Sequence, residues 1–357
     1  MSHKYNTEND ITEIRDEIEA SRQRAQLEGM TEAINRDSPG DWVGSQMDKK
    51  ARTVGLRIMT NNFQRKLMAS ETNIKQTLRA MEDLQIDMVA ATEPGNASAE
   101  SAARFRNTLR QHAYEAAVCH REPGSTTGGL ALILGPKWAK VPRTQAIYKP
   151  QNKQMRGRAM SVVFNNKIQG QHNKIQIVLL HGVNAPETQE DEATSMLLWI
   201  QRETEEFRRA NPLASVILLG DINAAQFSDI DTDRLTMANQ DEAPQEKDAF
   251  VLEAINLMRL HDVFRGRYPD KRAVTRVSDT GTNRFLDRIF ATAELAAHVA
   301  TEIAIHKHPI LDAGSDHIPI MADFPIDTAR AALERNAIWE PKTVTRSVVR
   351  RDEMGNI

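Results

Sequence analysis

The period of the apolar positions changes repeatedly along this chain, and each change marks an element. Leu56 and Ile58, with their neighbours, read as a strand that stops at Asn61-Asn62. Between Asn73 and Leu84 the spacing lengthens, so that Ile74, Leu78 and Met81 share one face of a helix. Met88–Ala91 reads as a short buried strand, halted by Thr92-Glu93-Pro94-Gly95. The pattern next predicts a helix over Ala99–Ala117 and strands over Gly128–Leu134, Ala159–Phe164 and Ile175–Leu180. A long helix over Thr188–Arg209 is marked by Met196, Leu197, Ile200 and Phe207. A strand over Val216–Leu219, a helix over Phe250–Met258 and strands over Arg284–Phe290 and Ile318–Phe324 complete the series. Strands and helices interleave throughout, which indicates a layered α/β domain.

The margins read differently. Residues 1–50 are rich in Glu, Asp, Arg and Gln, with Ile11, Ile14 and Ile18 at helical spacing. An amphipathic helix is expected between Asn9 and Leu27, ahead of the breaker Ser38-Pro39-Gly40-Asp41. It reads equally as a helix for a protein partner or as a mobile leader. Past Ile326 the strand pattern ends; Ala329–Ala337 reads as one helix, and Arg346, Arg350 and Arg351 make a basic end. The expected organisation is a charged extension (1–50), one large domain (51–326) and a basic tail (327–357).

Composition narrows the class. No stretch approaches the roughly 18 apolar residues needed to cross a bilayer, so no membrane is expected as a partner. Met1–Asp10 lacks the apolar run of a secretory signal, and the lone Cys119 excludes an intrachain disulfide. An intracellular site, cytoplasm or nucleus, fits best. Net charge is only −3, yet no Asp or Glu occurs between Glu122 and Glu187, while Lys137, Lys140, Arg143, Lys149, Lys153, Arg156, Arg158, Lys167 and Lys174 all fall there. Such a block suits a phosphate backbone, with Lys149, Lys153, Arg156 and Arg158 as candidate contacts, or else a solvated loop balanced by acids elsewhere.

The candidate chemistry lies where strands stop. Glu93 ends a strand at a Pro-Gly turn, where a carboxylate can hold a hard cation such as Mg²⁺. Taken alone, an exposed turn glutamate explains it as well. Asp221 and Asn223, one residue apart, point to one side at strand spacing: an acid to take a proton from water and an amide to hold an oxygen. An Asx-turn is the plain alternative. Asp316 and His317 open the last strand after Gly314-Ser315, and Asp287 is a carboxylate able to fix the tautomer of His317.

In order, Leu56–Asn62, Met88–Glu93, Leu218–Asn223, Phe285–Phe290 and Gly314–Pro319 resemble the motifs of the endonuclease/exonuclease/phosphatase family, which includes pancreatic deoxyribonuclease and the apurinic endonucleases. The resemblance implies two packed mixed β-sheets flanked by helices, a four-layer α/β sandwich. It implies metal-dependent phosphodiester hydrolysis, with Mg²⁺ (or Mn²⁺ as substitute) held by Glu93, and Asp316 and Asn62 completing the expected ligand set. It gives Asp221 the role of base, Asn223 that of holding the water or a phosphoryl oxygen, and His317 with Asp287 that of a phosphate-facing pair.

Two positions depart. A family tyrosine is replaced by Asn184, with His181 as a substitute if the chain bulges; an acid two residues after Asn62 is replaced by Gln64. Gly128–Leu134 and Leu286–Thr292 look most like the endonucleases of retrotransposons lacking long terminal repeats. DNA is the expected substrate. A lipid or inositol phosphatase is the alternative, and a catalytically silent nucleic-acid-binding scaffold a third reading.

Overall fold

The computed structural model describes residues 42–44, 55–95, 98–121, 128–168, 171–183, 190–212, 214–225, 232–234, 246–271, 273–277, 282–298, 301–306 and 315–326. In chain order the first strands are β1 (Trp42–Gly44), β2 (Leu56–Asn62), β3 (Met88–Thr92), β4 (Glu115–Cys119), β5 (Leu130–Leu134), β6 (Arg143–Ile147), β7 (Ala159–Ile168) and β8 (Gln171–His181). They continue as β9 (Ser215–Asp221), β10 (Thr232–Arg234), β11 (Leu260–Asp262), β12 (Thr282–Arg284), β13 (Asp287–Thr292), β14 (Glu302–His306) and β15 (Ile320–Phe324). The long helices are α1 (Glu71–Asp83), α2 (Ala99–Gln111), α3 (Glu190–Ala210) and α4 (Glu246–Leu257).

These strands form a seven-stranded sheet, β1-β14-β15-β2-β3-β5-β4, a six-stranded sheet, β11-β13-β9-β8-β7-β6, and a ribbon of β10 with β12. Each large sheet is antiparallel except at one central pair, β2 with β3 and β8 with β9. Alternation along the strands sorts the core into layers. Ile58, Met88, Leu132 and Ile320 of one sheet meet Ile177, Leu219 and Ile289 of the other in the middle layer. The opposite face of the seven-stranded sheet, with Met59, Val89 and Ile133, packs on Leu78 of α1 and Phe105 of α2. The outer face of the six-stranded sheet, with Val178 and Leu218, packs on Ile200 of α3 and Ile255 of α4. The order is helices, sheet, sheet, helices, the four-layer sandwich expected. Among the described residues no helix is long and apolar enough to cross a membrane.

Local chemistry starts and stops the helices. The Ser70 hydroxyl accepts from the Asn73 amide at the start of α1, and the Ser98 hydroxyl accepts from Ser101 at the start of α2. The predicted helix over Ala99–Ala117 proves too long: α2 stops at Gln111, Ala113 takes φ 63°, and the chain turns into β4. Alanine suits a helix intrinsically, but buried Ala116 and Ala117 gain more by pairing with β5. The polar edge strand β6 and strand β14 escaped the apolar pattern. Ahead of residue 51, β1 pairs with β14, with Trp42 opposite His306. The helix expected between Asn9 and Leu27 and the tail from 327 lie outside the described residues.

Two glycines set the approach of the strands that carry the site. A Cβ on Gly220, at φ +146°, would lie 1.9 Å from the Leu180 carbonyl oxygen, and one on Gly182 would lie 2.0 Å from that of Ile222. Backbone cannot retreat from a sheet ladder without breaking it. Gly220→Ala is therefore expected to cost about 2–4 kcal/mol of stability, measured as a fall in the midpoint of denaturant unfolding; an unchanged midpoint would show that β8 and β9 can separate.

Candidate active site

The parallel pairs bring strand ends together. Asn62 ends β2, and Glu93 follows its neighbour β3. His181 and Asp221 are register partners at the ends of β8 and β9, and Asp287 opens β13 opposite Asp221. Ligand-facing groups at the carboxyl ends of parallel strands are what a layered α/β fold offers. Four non-glycine residues here take left-handed backbone conformations: Gln64 (φ 44°), Arg65 (φ 67°), Glu93 (φ 47°) and Asn223 (φ 55°). Such residues cost about 1–2 kcal/mol each and persist where surrounding contacts over-determine them.

Asp221 is the hub. Its side chain is buried, yet Asn62 Nδ2 donates to Oδ2 at 3.0 Å, and the Asn223 amide donates to Oδ1 at 3.1 Å. The second bond is an Asx-turn, so the structural reading of Asp221 and the site reading hold together. Because Asn223 leaves the strand conformation, its side chain does not share a face with Asp221; Nδ2 donates to the Gly182 carbonyl at 3.1 Å. His317 Nε2 and His181 Nε2 approach Asp221 Oδ2 to 3.8 and 3.9 Å. His181 Nε2 also lies 3.6 Å from Glu93 Oε1, bridging the two acids from the floor of the site.

His317 Nδ1 is 2.6 Å from Asp287 Oδ2. That carboxylate is placed by Thr275, whose hydroxyl accepts from the amides of Leu286 and Asp287 at 2.9 and 2.8 Å. The Ser315 hydroxyl donates to the Asn62 carbonyl and accepts from the His317 amide, at 2.6 and 3.1 Å, which tethers the last loop to β2. Asp316 accepts from the Gln64 amide on Oδ1 and from Arg276 Nε at 3.1 Å on Oδ2.

The charges divide by environment. Burial alone would depress His317, but Asp287 and then Asp221 outweigh it and raise its pKa to about 9. His181 goes the other way: burial, helped by Arg158, lowers it to about 3 and keeps it neutral. Burial works to raise Asp221, yet His317, His181 and the Asn62 hydrogen bond prevail and hold it low. Burial pushes the Asp287 carboxyl up to about 6 against the pull of His317. Glu93 is raised first by burial and next by the negative charge of Asp221.

The donor set is one for a hard cation. The Glu93 carboxylate accepts no hydrogen bond among the described residues, though His181 Nε2 approaches it to 3.6 Å, and its partial burial next to Asp221 leaves a concentration of negative charge that a divalent ion would relieve. No group of three His, Cys, Asp or Glu able to hold a metal occurs among the described residues. Mg²⁺ does not require one, since it binds through one or two carboxylates and keeps its waters.

The structure thus gathers Asn62, Glu93, His181, Asp221, Asn223, Asp287, Asp316 and His317 at one end of the sandwich. Asn184 lies outside the described residues. Lys149, Lys153 and Arg156 are exposed. Arg158 differs: it is buried, donates to the Gly182 carbonyl at 2.7 Å, and places its charge behind Glu93 and Asp221 rather than on the surface. Sequence reading missed Thr275 and Arg276, two polar residues between Val274 and Val277 in a segment too short to show a period.

No family model matches the sequence, and no curated protein sequence matches it. Solved structures do resemble it. The apurinic/apyrimidinic endonuclease of Leishmania major superposes with a TM-score of 0.63 at 16% identity, covering 84% of this chain and 98% of that one. The corresponding enzyme of Archaeoglobus fulgidus gives 0.53 at 18%, covering 75% and 99%. A 3′ phosphatase from Neisseria, bound to product DNA hairpin, gives 0.56 at 15%, covering 75% and 99%. The fold is therefore that of the endonuclease/exonuclease/phosphatase proteins, over nearly the full length of each.

The charge of His317 has a consequence for stability. Its folded-state pKa exceeds the ordinary 6.5, so the stabilisation it contributes is complete below about 6.5 and is lost as pH rises through about 9. Asp287→Asn is expected to lower the His317 pKa and flatten that alkaline loss. Unfolding midpoints at a series of pH values, with ring NMR of His317, check both.

Proposed function

We propose that this protein is a metal-dependent phosphodiester hydrolase that cuts DNA. The observation that carries the reading is the meeting of Asn62, Glu93, His181 and His317, from both sheets, around the buried carboxylate of Asp221. His317 Nε2 stands 3.8 Å from Asp221 Oδ2, with burial outweighed on both so that the imidazole favours its charged form and the carboxyl its ionised form. Such a pair suits a reaction in which water loses a proton while negative charge grows on neighbouring oxygens.

Asp221 remains ionised, orients the attacking water and takes its proton. Asn62 and the Asn223 amide hold the two carboxylate oxygens in place. His317, kept charged and oriented by Asp287, donates to the phosphoryl oxygens as they gain charge. His181 stays neutral and offers one N–H between Glu93 and Asp221. Asn223, tied to Gly182, lines the turn that carries Asp221. Glu93, with the amide oxygen of Asn62, would hold Mg²⁺ or Mn²⁺, which when bound supplies charge neutralisation at the phosphate.

For the substrate, the acid-free block from Glu122 to Glu187 supports a polyanion, with Lys149, Lys153 and Arg156 exposed along it. A DNA-bound neighbour of the same fold agrees with that choice.

Supercoiled plasmid with Mg²⁺, beside EDTA and Asp221→Asn, tests the reading. Metal-dependent nicking is expected, reduced about 10²- to 10⁴-fold in the variant. Nicking that survives the substitution would remove Asp221 as base, and hydrolysis of a small phosphodiester without nicking would move the substrate to a soluble or lipid phosphate. Arg156→Gln should weaken duplex binding and lower its salt slope by about one, read from affinity at several ionic strengths.

A further inference from the structure

Asp316 makes contacts that the hydrolytic reading does not use. Both of its carboxylate oxygens accept from side chains: Oδ1 from the amide of Gln64, Oδ2 from Nε of Arg276 at 3.1 Å. The backbone fixes the arrangement independently. Arg276 forms antiparallel bridges with both His317 and Arg284, the Val277 amide donates to the Asp316 carbonyl at 2.8 Å, and the Ile318 amide donates to the Thr275 carbonyl at 2.7 Å. Gln64 comes from the left-handed turn immediately after β2, whose Asn62 touches Asp221. Three segments distant in sequence thus meet on one carboxylate beside His317, whose Nε2 is 3.5 Å from Asp316 Oδ1.

Among the described residues such a clasp engages one edge of the guanidinium. Asp316 takes Nε, and among the described residues no partner is recorded for Nη1 or Nη2. The Arg276 side chain is 40% exposed, whereas that of Asp316 is 18% and that of His317 is 4%. An arginine held by one edge at the rim of a site, with its fork towards solvent, is suited to a phosphate two bonds wide.

We propose that Arg276 is a specificity-determining residue that binds a phosphate of the polyanionic substrate next to the one hydrolysed, and that Asp316 acts as its positioning residue rather than as a metal ligand. Gln64 sets the direction of this carboxylate. With an acid at position 64, two carboxylates would face each other and Asp316 could not be shared with Arg276 on the same terms; an amide can donate to it. The amide at position 64 and the arginine at 276 are then two halves of one device. This inference rests on the nucleic-acid reading above.

The test is equilibrium binding of a fluorescent DNA duplex by the full chain in EDTA, which separates binding from turnover, at ionic strengths from about 50 to 200 mM. Arg276→Gln is expected to weaken binding roughly tenfold and lower the salt slope by about one. Arg276→Lys should restore the slope, because it restores the charge, without restoring the full affinity. Asp316→Asn should weaken binding too, and the double variant Asp316→Asn/Arg276→Gln should bind no worse than Arg276→Gln alone, the signature of one residue acting through the other. Arg276→Gln with the parent's affinity and slope, or fully additive losses in the double variant, would overturn the inference while leaving the nuclease reading intact. Failure of the parent to bind duplex at any of these ionic strengths would overturn both.

Discussion

A negative charge buried at the joint between two sheets is the constraint around which this molecule is organised. Asp221 retains only 2% exposure, and an ionised carboxylate in such a place is costly unless donors and cations surround it. No single element supplies them. Asn62 reaches across from the seven-stranded sheet, the Asn223 amide turns back from the next loop, and two imidazoles arrive from β8 and from the loop before β15. The sheets must dock in one register for that shell to close. The glycines at 182 and 220 serve the same end, because the strand that carries Asp221 has to lie against β8 with no side chain between.

The two histidines show how one fold produces opposite behaviour from one side chain. Both lie within hydrogen-bonding range plus about one ångström of the same oxygen, at 3.8 and 3.9 Å. His181 has a guanidinium behind it and no carboxylate closer than the 3.6 Å of Glu93, so burial wins and it stays neutral. His317 has Asp287 at 2.6 Å on its far nitrogen, and that contact reverses the outcome. Separating the ionisation states of like groups is how proteins assign distinct roles in proton transfer. Arg158 belongs to this scheme as a fixed buried charge, which is why its place behind the acids matters more than its membership of a basic run.

Much of this was legible in the sequence, for identifiable reasons. The central strands carry apolar runs that stop at Asn-Asn, Gly-Asp or Glu-Pro-Gly or that follow Ser-Asp-His, so their ends announced the polar groups they deliver. What escaped notice depends on tertiary partners. Ala116 and Ala117 follow helix propensity until a neighbouring strand offers pairing; β6 carries too few apolar residues for its period to show; and a distant partner edge recruits Trp42–Gly44. In the site, Glu93, Asp221 and His317 stand out by residue type, whereas Thr275 acts through a hydroxyl that accepts two backbone amides. A threonine in a short segment without a period carries no mark of that role. Arg158 misled for a related reason: composition counts a charge but does not say which side of the backbone it leaves from.

The bond between His317 and Asp287 spans the interface between the two halves of the sandwich, since Asp287 opens a strand of one sheet and His317 precedes a strand of the other. The imidazole's affinity for a proton is thereby a measure of how closely the two halves are seated. Any slip between them, too small to expose the core, would lengthen that contact and release the proton first. The proton on that imidazole thus depends on a contact between residues of both sheets, 2.6 Å long.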